Sequence, residues 1–162
     1  MAGTLNHLSH YGAPLLLLCL LSGCGEKKAG EQSLSIPERP DGQYVTDQTT
    51  AAGLHLTLRD DGGGCKLQVG NAEPQIWLKP MAPCHFIKSP GRETVQVFQQ
   101  DKTTWVVAVV GTPVKKQRCG QEVQGLIIKG GEVAPSSYIM RGSVYCADQG
   151  LQNFQYSLFT RK

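Results

Sequence analysis

The chain has 162 residues, of which 40% are hydrophobic, 7% aromatic and 18% charged, a size and balance expected of one small globular domain. Its 16 Lys and Arg against 13 Asp and Glu leave a net charge of +3, scattered along the chain and not gathered into the basic stripe of a nucleic-acid binder. No run of about 18 apolar residues occurs, which excludes a multi-pass helical membrane protein.

Residues 15 to 21 read Leu-Leu-Leu-Leu-Cys-Leu-Leu, too short to span a bilayer and of the length of a secretory h-region. The run ends in Leu21-Ser22-Gly23-Cys24, followed by Gly25-Glu26-Lys27-Lys28. This tetrapeptide resembles the lipobox of bacterial lipoproteins. The resemblance implies cleavage before Cys24, with a diacylglycerol and a further acyl chain such as palmitate on that residue, and so a lipid anchor in the membrane. Two or more chains hold a protein firmly where one does not. The segment ahead of the run carries His7 and His10 but no Lys or Arg, a departure from the basic n-region of the class. Lipoproteins kept in the inner membrane often carry Asp after the acylated cysteine. Gly25 stands there, so the resemblance implies the outer membrane, facing the periplasm.

The expected organisation is a signal peptide over 1–23, a lipidated flexible tether over 24–52 and a β-rich domain over 53–162. The tether is rich in Gly, Pro, Ser, Thr and Gln and poor in large apolar side chains, too few to offset the entropy of ordering. As a flexible chain it would hold the domain about 30 Å from the membrane.

In the domain, Leu54, Leu56 and Leu58 alternate with polar residues, the period of a half-buried strand. Asp60 to Gly64 is turn chemistry, and Leu67 and Val69 continue the alternation, which predicts a hairpin. Ile76 to Leu78 is a third strand, closed by Pro80 and Pro83, and Cys84 to Lys88 a short fourth. Val95 and Val97 lead to a turn at Gln100 to Lys102. Trp105 to Val110 is apolar on both faces and predicts a central strand. Val123 to Ile128 is the next strand, and Tyr138 to Met140 and Val144 to Cys146 are weaker ones. Leu151, Phe154, Leu158 and Phe159 fit one face of a short C-terminal helix with Asp148 as its cap, although Phe154, Tyr156 and Leu158 also fit a strand. The expected fold is mostly β, a twisted antiparallel sheet or small sandwich with a short C-terminal helix.

Beyond Cys19 and Cys24 the chain holds Cys65, Cys84, Cys119 and Cys146, an even set that points to two disulfides in an exported domain. Four cysteines allow three pairings. The sequential one, Cys65 with Cys84 and Cys119 with Cys146, closes the shortest loops and is preferred. Each such loop restricts the unfolded chain by about 3 kcal/mol. No Cys-x-x-Cys pair occurs, so neither a zinc site nor a redox motif is expected.

Catalytic sets are sparse. His85 follows Cys84 directly, but neighbours on a strand point to opposite faces. His55 falls on the polar face of the first strand. Asp60 and Asp61 are adjacent carboxylates in a glycine turn, where a solvated turn is the simpler reading than a cation site. Ser136 and Ser137 lack a Gly-x-Ser-x-Gly elbow, and Gly62-Gly63-Gly64 lacks the Lys-Ser or Lys-Thr of a phosphate loop. Lys115, Lys116 and Arg118 form the densest basic cluster, a candidate contact with an acidic partner or anionic lipid. The expectation is therefore a binding module without catalytic residues, metal or cofactor, held to the membrane through Cys24, that engages a protein or ligand of the envelope. Lysozyme inhibitors and immunity proteins share this general plan. The alternative is an accessory factor of an envelope or secretion machine.

Overall fold

The computed structural model describes residues 42–73, 75–114 and 118–161. Four antiparallel strands form one sheet in chain order: β1 (Tyr44–Ala51), β2 (Leu54–Asp61), β3 (Gly64–Val69) and β4 (Ile76–Met81). A second sheet is built around β7 (Thr104–Gly111). On one side of β7 lie β9 (Glu122–Lys129) and then β10 (Glu132–Met140); on the other lie β5 (Cys84–Phe86) and β6 (Phe98–Gln99). A two-residue ladder joins β8 (Cys119–Gly120) to β11 (Tyr145–Cys146). Among the described residues the one helix, α1, covers Asn153–Phe159. The fold is thus mostly β and antiparallel with a short C-terminal helix.

Alternation along the strands makes the layers. Leu56 and Leu58 of β2, Leu67 of β3 and Leu78 of β4 turn inward and meet Phe86, Val107, Val109, Leu126 and Ile128 of the second sheet. The opposite face of that sheet offers Val106, Ala108, Val110 and Val123 to Tyr156 and Phe159 of α1. Strand β7 is therefore buried on both faces, as its unbroken apolar run predicts. Gly125 is the point of closest approach to α1, since any Cβ there would overlap the Phe159 ring.

The two sheets are joined at both margins by side chains that bond to backbone. At one margin, β1 breaks its register between Val45 and Asp47. There Thr46 Oγ1 donates to the Cys84 carbonyl at 2.7 Å, and the Asp47 carboxylate accepts the Phe86 N–H at 2.9 Å. At the other margin, buried Gln124 of β9 accepts the Lys79 N–H and donates to the Ser136 carbonyl, each at 2.8 Å. A third amide, Gln96, pairs with the backbone of Leu151 through both its oxygen and its nitrogen, at 2.7 and 2.9 Å. Tyr156 Oη donates to the same oxygen at 3.1 Å, and burial pushes this phenol well above its ordinary range.

The structure pairs Cys65 with Cys84 and Cys119 with Cys146, the sequential arrangement. The first bridge ties β3 of one sheet to β5 of the other; the second ties β8 to β11.

Several expectations need correction. The ordered domain begins before residue 53, because residues 44–51 of the expected tether are strand β1. Only Ala51 of that strand is buried, so it lacks an apolar signature; its place is held by the β2 ladder and by the Thr46 and Asp47 bonds. Pro80 does not close its strand but lies inside β4, and Pro135 lies inside β10. Both are outermost strands, where a missing N–H is tolerated. The helix starts at Asn153 with Gln152, not Asp148, at its N-cap. The Gln152 N–H bonds the Gln155 side chain at 2.7 Å. Its buried face is Tyr156 and Phe159, while Phe154 faces out.

Candidate functional site

The titratable and nucleophilic side chains singled out in the sequence fall mostly into structural bonds. Gly62 and Gly63 have φ of 59° and 90°, the left-handed pair that a tight hairpin turn requires. Asp60 supports this turn: one carboxylate oxygen accepts the Gly63 N–H and the other the Tyr44 hydroxyl, each at 2.7 Å. Asp61 is paired with Lys66 and accepts from Gln43; these two bonds outweigh desolvation and hold its carboxyl below the usual range. Lys66 also lies 4.2 Å from the centre of the exposed Trp77 ring, a cation–π contact. Ser136 Oγ is buried and donates to the Tyr138 carbonyl at 2.6 Å.

His85 points away from the Cys84 disulfide and towards Asp47, with Nδ1 3.8 Å from the carboxylate. Burial raises the Asp47 carboxyl, but the nearby His85 ring and the N–H groups of Phe86 and Gln48, which bond it, together outweigh burial and hold the group below the ordinary carboxylate range. His55 lies 3.5 Å from Thr57 Oγ1. Among the described residues no three His, Cys, Asp or Glu side chains are grouped as metal ligands.

The basic cluster is only partly described. Lys115 and Lys116 lie outside the described residues, as do Cys24 and the whole lipobox-like segment. Arg118 is exposed, and its charge, after the bond and charge of Lys88, helps hold the Glu93 carboxyl low.

What the fold does assemble is an apolar cleft of about 480 Å³ beside the Cys119–Cys146 bridge. It forms where β4 ends at Met81, β7 ends at Gly111 and β9 begins at Glu122. Its base is tight: a Cβ on Gly111 would strike the Met81 backbone, and one on Gly120 would strike the Gly111 carbonyl. Its walls carry three of the most exposed apolar side chains described, Met81 at 60%, Val114 at 60% and Val144 at 66%. Pro113 completes the apolar surface, and Gln121 and Glu122 supply polar groups. Glu122 accepts a bond from Arg141 Nε at 2.8 Å. Convergence of exposed apolar side chains on one concavity is the mark of a contact site, and the volume lies in the range of ligand pockets.

Sequence reasoning missed Met81, Val114 and Val144. They stand far apart in the sequence, Met81 among prolines, Val114 after a proline and Val144 at the start of an expected weak strand, and only the chain's topology brings them together. The usable signal was the cysteines: Val144 stands two residues before Cys146, and Cys119 five after Val114, so the second bridge draws both segments to one place. No protein-family model matches the chain, no curated protein matches it, and no solved structure matches its fold.

Proposed function

We propose that this chain is an envelope lipoprotein, anchored through lipid on Cys24 at the outer membrane, whose disulfide-stapled domain captures a protein or ligand by binding and without turnover, as an inhibitor or immunity protein does. One observation carries the binding role: Met81, Val114 and Val144 are left exposed around a single cleft whose base is braced by a disulfide and close glycine contacts. A braced base loses little conformational freedom on association, which leaves more of the contact energy as affinity. The side chains that would serve acid, base or nucleophilic chemistry are instead tied into turns, seams and bridges, as Asp60, Ser136 and Cys84 illustrate. The anchor rests on Leu21-Ser22-Gly23-Cys24 after the apolar run.

Three measurements test the proposal. Radioactive palmitate should label the wild-type chain, and Cys24→Ser should abolish the label and leave a soluble or unprocessed species. An unlabelled wild type refutes the anchor. Crosslinking in intact envelopes, followed by pull-down, should yield one dominant periplasmic or foreign protein. Recovery of subunits of an envelope machine would favour the accessory role instead. Turnover of an envelope substrate by the purified chain, lost on changing His55 or His85, would refute the binding role.

A further inference from the structure

Beyond the cleft, the outer face of the four-stranded sheet carries a surface with its own chemistry. Cross-strand pairing sets its rows: Val45, Arg59, Lys66 and Trp77 lie side by side across β1 to β4, and Gln48, Thr57 and Gln68 fill the next row. Trp77 keeps 57% of its surface in solvent, yet its pose is fixed. Its ring leans on Gly64, where any Cβ would strike it. The Lys66 ammonium lies 4.2 Å from the ring centre, and that side chain, paired with Asp61, is only 15% exposed. Lysine and glycine thus cover one side of the indole and leave the other in solvent. An aromatic ring fixed before contact gives up little freedom on binding.

The neighbours select the occupant. Arg59 Nε donates to Gln68 Oε1 at 3.2 Å, which orients the guanidinium and leaves its terminal amino groups to fork onto a carboxylate. Arg59 stands two strand spacings from Trp77, about 10 Å. Lys79 follows Trp77 on the outward side of β4. Neither Arg59 nor Lys79 forms an ion pair among the described residues, and Asp61, opposite Gly64 on the same face, is held by Lys66. The face therefore favours an anion, and with an ammonium already on its ring Trp77 is a poor seat for a second cation. The core of a protein interface is poor in charged groups, whereas this ring is bordered by Arg59, Lys66 and Lys79. A saccharide matches better. A pyranose ring lays an apolar face of C–H groups on a flat indole and turns its hydroxyls to charged and amide neighbours.

We infer that this face binds an acidic saccharide chain, with one sugar ring stacked on the open side of Trp77 and a carboxylate further along the chain held by Arg59. The experiment uses the full chain and calorimetric titration with three probes. The first is trigalacturonate. The second is its methyl ester, which keeps the rings and loses the charge. The third is a tetraglutamate peptide, which keeps the charge and lacks the rings. Trigalacturonate should bind at least about fivefold more tightly than its ester, a preference that fades as salt rises, and the peptide should bind more weakly than either sugar. Arg59→Gln should bring trigalacturonate down to the affinity of the ester and leave the ester unchanged. Trp77→Ala should weaken both sugars by about tenfold or more, while Trp77→Tyr, which keeps a flat ring, should retain most of the binding. Trp77 is exposed, so the thermal midpoints of its variants should stay close to that of the wild type.

No binding of trigalacturonate at millimolar concentration, equal binding of acid and ester, or binding untouched by Trp77→Ala would overturn the inference. Tighter binding of the peptide than of trigalacturonate would also overturn it, in favour of an acidic protein partner. None of these variants alters the cleft, so the partner sought by crosslinking stands or falls separately.

Discussion

Gln124 offers the sharpest test of how the two sheets are held together. Its amide is buried and bonds two backbone groups from different strands, the Lys79 N–H of β4 and the Ser136 carbonyl of β10, both at 2.8 Å. In Gln124→Leu the volume is nearly kept but both backbone groups lose their partner. A buried group left unpaired costs about 1–3 kcal/mol. The Ser136 carbonyl, in the drier surroundings, takes the upper part of that range and the Lys79 N–H, which is part-buried, the lower. With a small offset from the added apolar surface, the net loss should be about 2–4 kcal/mol, or about 10 °C in midpoint for a domain of this size. Urea unfolding under oxidising conditions, followed by tryptophan fluorescence, measures it. Gln124→Glu sharpens the test. At neutral pH a carboxylate still accepts from Lys79 but opposes the Ser136 carbonyl oxygen to oxygen, so this variant should be at least as unstable as the leucine. Protonated, the same side chain donates to Ser136, so stability should recover relative to wild type as pH falls. A leucine variant within about 0.5 kcal/mol of wild type, or a glutamate variant with no relative recovery in acid, would refute the reasoning.

Other expectations follow from the same contacts. The Asp47 carboxyl is held below its ordinary range, so it contributes stability above the carboxylate range that is lost as pH falls through its lowered value. Asp47→Asn should flatten the acid limb of a stability–pH curve, and an unchanged limb would show that the seam does not depend on that charge. Replacing Cys119 and Cys146 together by serine frees a loop of separation 27 and should cost about 3–4 kcal/mol in equilibrium unfolding. It should also weaken cleft binding, because the bridge braces its base. Gly125→Ala drives a methyl group into the Phe159 ring and should cost about 1–3 kcal/mol, with α1 losing hydrogen-exchange protection before the strands do. Alkylation of the unreduced protein should find no free thiol at Cys65, Cys84, Cys119 or Cys146.

Legibility in the sequence followed the strength of the local pattern. Alternation at Leu54 to Leu58 and the double-sided run at Trp105 to Val110 identify the two sheets, because an inward face must be apolar whatever lies across from it. Strand β1 has no such face. Its position depends on Thr46 and Asp47 bonding a strand 38 or 39 residues away, which no local pattern can announce. The helix was legible as an element and in most of its face: Leu151, Leu158 and Phe159 pack on the core as the helical period predicts, but Phe154 is exposed and Tyr156, outside that set, stacks on Phe98. The cleft was the least legible part. Its lining comes from the ends of β4, β7 and β9, a short ladder and loops, and each contributes only one or two residues.

The margin bonds also constrain how anything can attach to this molecule. A partner that joins by adding its own strand needs a continuous row of free amide and carbonyl groups. Here β1 is kinked by its bulge, and β4 has the Lys79 N–H already committed to Gln124. Strand β10 has Pro135 in its course and a broken register beyond it. Each outermost ladder is interrupted within a few residues. Many copies crowded together would have little opportunity to zip into a common sheet, and recognition is left to side chains.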